Sequence, residues 1–149
     1  MGAEPYSWRS DAAVPAFADS LPLIVFDGEC VLCSAGAHFV LRHDRSRHFR
    51  LTIAQGPLGA ALYRHFGLRA DEEGTILLLD GGRLLTDSDA ALAIAAGLGW
   101  PWRAASALRI LPRALRDPVY RLIARNRFRW FGRRDTCWLP QPADSDRIL

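Results

Sequence analysis

The stretch LIVFDGECVLCSAGAHFVLRH, residues 23–43, decides how the chain is read. With Pro22 it opens on PLIVFD, a short apolar run with β-branched and aromatic members, which predicts a buried strand over 22–27. From Val31 the spacing changes. Leu32, Ala35, Phe39 and Val40 recur at intervals of three and four, which predicts a helix to about His43. Two cysteines, Cys30 and Cys33, fall where strand gives way to helix, just after Asp27 and Glu29. That placement leaves three readings open: redox chemistry, a metal site, or two inert buried thiols.

Working outward, FRLTIA (49–54) alternates apolar and polar residues as a half-buried strand does, after a solvated turn RSRH. GPLGAALYRHFG (56–67) is a short helix, with Pro57 suited to its first turn and Gly67 to its end. EEGTILLLDGGRLLTD (72–87) contains two strands joined at Asp80-Gly81-Gly82, a β-hairpin. DAALAIAAGLG (89–99) returns to helix after Asp87 or Ser88 as N-cap. The predicted order is β-α-β-α-β-β-α, an α/β arrangement. Beyond Trp100, Leu108, Leu111, Leu115, Leu122 and Ile123 supply one face and Arg109, Arg113, Arg116, Arg121 and Arg125 the other. Pro112 and Pro118 are expected to divide this segment into short helices. The reading gives one domain over 21–140, its core at 21–100 and a helical, Arg-rich extension at 101–135. Residues 1–20 are expected to form a flexible leader and 141–149 an irregular tail.

A chain of 149 residues, half of them apolar, can bury one good core. Charges and turn residues interrupt every apolar run, so no membrane span is expected. The first twenty residues lack the continuous apolar stretch of a secretory signal, which points to the cytoplasm, where cysteines stay reduced unless their chemistry uses oxidation. All nineteen basic residues are arginines. Residues 1–100 hold eight of them against twelve acids, whereas 101–134 hold ten against Asp117 alone. Such an excess attracts anionic partners or covers acidic parts of its own protein. No nucleic-acid motif accompanies it, so no nucleic-acid partner is expected. Its apolar face is expected to pack on the sheet, with the arginines outward.

Residues three apart in a helical turn share a face, and their separation falls within the roughly 4.4–6.8 Å between Cα atoms that a disulfide accepts. Cys30, at the helix start, meets unpaired backbone N–H groups and the positive end of the helix dipole, which favour thiolate over thiol. Cys33 sits deeper and gains less. Cys30 is therefore the expected attacking sulfur and Cys33 the resolving one. Asp27 has two readings of similar weight: a proton shuttle for the resolving thiol, or a turn or capping aspartate. A structural zinc site needs four ligands. Cys30 and Cys33 would have to recruit Cys137 and one of His38, His43, His48 or His65 from distant segments, so redox chemistry is favoured. Cys137 by itself reads as a small buried apolar residue.

FDGECVLC (26–33) resembles the D-x-x-C-x-x-C signature of the DCC family of thiol-disulfide oxidoreductases, including Gly28 and Leu32. DSDAAL (87–92) and VYRLIARNRFRWFGRRDTCWLP (119–140) are similar to further stretches of that family, in the same order, so the resemblance covers about 21–140. It implies a thioredoxin-like fold and disulfide exchange through Cys30 and Cys33, with no cofactor. The implied partners are a protein disulfide or small-thiol substrate and a recycling reductant. One departure concerns the cis-proline that thioredoxins place before the hairpin strand, facing the cysteines; here Gly74-Thr75 stands there. The alternative function is a non-catalytic thioredoxin-like module that binds a metal or a protein partner.

Overall fold

A computed structural model describes residues 6–17, 20–28, 31–44, 48–68, 76–99, 101–126, 129, 130, 132 and 148. Its sheet has four strands: β1 (Leu23–Phe26), β2 (Arg50–Ile53), β3 (Leu77–Asp80) and β4 (Arg83–Thr86). The helices are α1 (Val31–His43), α2 (Pro57–His65), α3 (Asp87–Gly97) and α4 (Arg113–Arg125). Two 3-10 segments, Ser7–Ser10 and Trp102–Ile110, precede β1 and α4 respectively.

The strand order is β2-β1-β3-β4. β1 runs parallel to β2, with Leu23 opposite Arg50 and Phe26 opposite Ile53. It runs antiparallel to β3, with Leu23 opposite Leu79. A parallel pair needs a crossover, and α1 supplies it. The β3–β4 pair needs only a tight turn, and Gly81 and Gly82 provide one at φ 61° and 84°. This succession and strand order are those of a thioredoxin-like fold.

Both faces of β1 are covered, as a central strand in a parallel pairing requires. Leu23 and Val25 point to one side, where Leu58, Leu62 and Tyr63 of the α2 region pack with Leu77 and Leu79. Ile24 and Phe26 point to the other, where Ala37 and Val40 of α1 meet Ala90 and Ile94 of α3. Leu78, between Leu77 and Leu79, joins this second cluster, as strand alternation dictates.

Three expectations need correcting. Residues 1–20 are expected to be a flexible leader, yet the described residues 6–17 carry core side chains: Trp8 is 3% exposed and Val14 is buried. Trp8 stacks with Phe17 and meets Tyr6 and Phe66 edge-on. Tyr6 donates its backbone N–H to the Gly82 carbonyl at 2.8 Å, and a Cβ on Gly82 would fall 2.6 Å from the Tyr6 ring. Glycine there serves both the turn and the seating of this segment.

The second correction is Pro118, which does not end a helix. α4 runs through it, anchored to α3 on its first two turns. Arg113 Nε lies 2.8 Å from Asp89 Oδ2, Arg116 Nη1 lies 3.1 Å from Asp89 Oδ1, and Ser88 Oγ donates to Asp117 Oδ1. Ser88 therefore does not cap α3, whose cap position is Thr86. The third correction is the outer face of α4 together with the segment before it. Leu108, Leu111, Leu115 and Leu122 are exposed, as are Ile110 and Val119, so this apolar face does not pack on the sheet. The 3-10 segment and α4 pack on α3. At the other end of the chain, Ile148 bridges Leu51 on the outer edge of β2.

Candidate functional site

The site is assembled where the parallel strands β1 and β2 end, the end at which ligands of open α/β sheets are bound. Asp27 follows β1 directly and is 5% exposed, a depth at which a carboxylate needs partners. Gln55, just after β2, supplies one: its Nε2 donates to Asp27 Oδ1 at 2.7 Å. The same amide accepts the Gly28 N–H through Oε1 at 3.0 Å. One side chain thus ties the residue that ends β1 to the turn leading into α1. Ser34, fully buried on the first turn of α1, donates to the Gly28 carbonyl at 3.4 Å. Gly28 is held through both of its backbone polar groups. A Cβ on it would lie 3.0 Å from Ile53 Cγ2 and 3.3 Å from Gln55 Oε1, closer than a side chain comfortably fits.

Cys33 is the third residue of α1, half-buried, and packs against the cluster that contains Phe26 and Val40. It also lines an apolar cavity of about 410 Å³ between α1, α3, the second 3-10 segment and α4. Ile76, immediately before β3, lies in the same wall, together with Phe39, Trp102, Tyr120 and Ile123. Of the lining side chains, Cys33, Trp102 and Tyr120 carry a heteroatom, and only Cys33 carries sulfur. A cavity of this size and character accepts a small apolar group or one bulky side chain, brought to a thiol. The Tyr120 hydroxyl receives the Ile76 N–H at 3.4 Å, so α4 touches the chain just before the hairpin.

The sequence-derived candidates are distributed as follows. Asp27 and Cys33 lie at the adjoining ends of β1 and α1, with Gly28 and Ser34 hydrogen-bonded between those elements. Cys30, Cys137 and Gly74-Thr75 fall outside the described residues. His65 is held by Asp11 Oδ2 at 2.7 Å on Nδ1 and by Ser7 Oγ at 2.9 Å on Nε2. His43 Nδ1 bonds the Phe39 carbonyl oxygen at 2.9 Å and its ring meets Trp102 edge-on. The His48 ring lies edge-on to Phe49. These contacts give the three rings local structural roles.

Sequence reasoning missed Gln55, Ser34 and Tyr120. A signal existed for Gln55. It stands two residues past Ile53, the partner of Phe26, as Asp27 stands one past Phe26, so two polar side chains end neighbouring parallel strands. Tyr120 was hidden among arginines, with nothing local to mark its inward direction.

Comparison with known proteins agrees with this arrangement. The family model of the DCC1-like thiol-disulfide oxidoreductases matches residues 24–133. The uncharacterized protein YuxK of Bacillus subtilis (strain 168) is 33% identical over 127 residues, covering 85% of this chain and 93% of that protein. A chloroplastic DCC family protein of Arabidopsis thaliana is 35% identical over 122 residues, covering 81% of this chain and 71% of that protein. No solved structure matches. With its strand-to-helix Asp27 and Cys33 inside the matched span, the chain belongs to the DCC1-like thiol-disulfide oxidoreductase family.

Proposed function

We propose that the chain exchanges disulfides through Cys30 and Cys33, with Asp27 moving the proton of the resolving thiol. The observation that carries this reading is Cys33 itself, on the first turn of α1 and in the wall of an apolar cavity, one strand end away from a buried carboxyl. In the reducing direction, the Cys30 thiolate attacks one sulfur of the substrate disulfide. A mixed disulfide forms and one substrate thiolate leaves. Cys33, losing its proton to Asp27, then attacks the Cys30 sulfur and expels the second substrate thiolate. The substrate gains two electrons and the pair becomes a Cys30–Cys33 disulfide, which a dithiol reductant of the cytoplasm returns to thiols. Run backwards, the same steps oxidise a dithiol. Which direction prevails depends on the potential of the pair relative to its partners.

Hydrogen bonds hold the Asp27 carboxyl at the end of β1 and tie the adjoining turn to the helix that carries Cys33. The carboxyl receives the Gln55 amide, and Ser34 on α1 is bonded to the carbonyl of Gly28. The apolar cavity favours a substrate sulfur carried on an apolar group or flanked by apolar side chains. The test is thiol alkylation with mass measurement before and after dithiol reduction. Two additional alkylations, mapped to Cys30 and Cys33, are the expected result. Stoichiometric zinc protecting both thiols until chelation would overturn the proposal.

A further inference from the structure

We propose that the second 3-10 segment and α4 form a docking surface for an anionic lipid bilayer. The reading of this surface does not depend on the exchange chemistry. α4 is built unlike an ordinary surface helix, which turns its apolar stripe inward and its polar face to water. Its inward side carries Arg116, Asp117, Tyr120 and Ala124, the charged pair bound to Ser88 and Asp89 and the other two lining the cavity. Leu115, Val119 and Leu122, spaced by four and three, form a second apolar stripe 60%, 58% and 49% exposed. Leu108, Ile110 and Leu111 add to it from the preceding segment, Ile110 being 87% exposed, and Trp130 follows α4 at 54%.

Charge decides what this surface meets. Arg109 and Arg125 are exposed on the same two elements, and Arg129, just past α4, is exposed as well. The sole acid of the two elements is Asp117, which accepts from Ser88 on α3. The outward charge is therefore of one sign. A two-fold contact with a second copy would place these arginines against one another, while Asp89 on α3 and Asp117 on α4 are already engaged by Arg113, Arg116 and Ser88. Nucleic acid would satisfy the arginines and leave the leucines in water. An anionic bilayer satisfies both, taking apolar side chains below the headgroups and guanidinium groups among the phosphates. Phe39 and Ile123 are 38% and 39% exposed and also line the cavity, so the cavity opens beside this surface. Docking would bring Cys33 within reach of apolar groups held in the lipid.

The test is co-sedimentation of the full chain with vesicles of phosphatidylcholine alone and of phosphatidylcholine with 30% (about one lipid in three) phosphatidylglycerol, at low and at high salt. The expected result is retention on the anionic vesicles, weakened by salt, and little on the neutral ones. Arg109→Gln and Arg125→Gln should each weaken retention about fivefold on anionic vesicles. Val119→Ser should weaken it by up to about tenfold at either salt concentration, with unchanged circular dichroism and melting. These side chains are exposed, so the variants should fold. Absence of retention on either vesicle would overturn the proposal. So would a dimer in light scattering that Val119→Asp dissociates, or retention by a DNA column without retention on vesicles.

Discussion

The two faces of the sheet are built from the same strands by alternation, and they are finished differently. On one, Leu23, Val25, Leu77 and Leu79 meet α2 and Trp8 in a closed core. On the other, Ile24, Phe26 and Leu78 meet α1 and α3, but the packing stops short and leaves a cavity of about 410 Å³ that reaches Cys33. Protein interiors are ordinarily packed like organic crystals, so a cavity of this size sets the second face apart from the first. One face thus holds the fold together, and the other leaves an apolar cavity beside a thiol.

The comparison can be broken by substitutions of matched kind. On the closed face, Trp8→Ala should cost about 3–5 kcal/mol and Leu62→Ala about 2–5 kcal/mol in denaturant unfolding, because neither site can collapse around the loss. Enlarging a residue sharpens the contrast. Ala61→Leu on the closed face should destabilise by about 1–3 kcal/mol, since nothing there can give way. Ala95→Leu, in the cavity wall, should instead hold or raise stability by about 0.5–2 kcal/mol while lowering the rate of exchange with apolar disulfides. Equal losses of stability on both faces would contradict the distinction.

The junction between the faces should respond through chemistry. Gln55→Ala leaves the buried Gly28 N–H and the Asp27 carboxyl without the amide that joins them, at about 1–3 kcal/mol. Asp27→Asn keeps the volume but not a carboxylate that accepts a proton. Release of the mixed disulfide should slow, with attack by Cys30 little changed. Stopped-flow exchange against a chromogenic disulfide separates the two steps, and unchanged resolution would reduce Asp27 to a turn residue.

The smallest effect lies on the closed side. The Ala13 N–H first, and the hydrogen bond and charge of His65 next, hold Asp11 below the ordinary carboxylate value of 3.8. A lowered folded value means that stability from this group is fully present above 3.8 and is lost as pH falls through the lowered value. The melting difference between the wild type and Asp11→Asn should therefore be small at neutral pH and shrink in acid. A difference that grows in acid would contradict the sign.

Much of this organisation was legible in the sequence because local physics decides it. The apolar run 22–27, the helical spacing from Val31 and the double glycine of the hairpin each carry their own signal, and the four strands fall where those signals place them. Trp8 escaped because Pro5 and Pro15 argue against regular structure nearby, and a 3-10 turn can still bury one large ring. The outer face of α4 escaped because periodicity reports that a helix has an apolar stripe and not which neighbour covers it. Gln55 escaped because its role exists only across two strands. Asp27 could be placed at a strand end from sequence, but its burial against Gln55 needed the fold.

Cys33, the cavity-side thiol, is proposed to resolve what Cys30 begins, and trapping separates the two roles. Cys33→Ser removes the resolving sulfur, so a disulfide substrate should remain covalently attached to Cys30 as an adduct that dithiol reductant removes. Cys30→Ser should trap little. Acid-quenched mass measurement of both variants after exposure to substrate gives the answer. A stoichiometric adduct on Cys30 in the first variant alone is the expected result; equal trapping by the two variants, or adducts in neither while a control dithiol enzyme is trapped, would overturn the assigned roles.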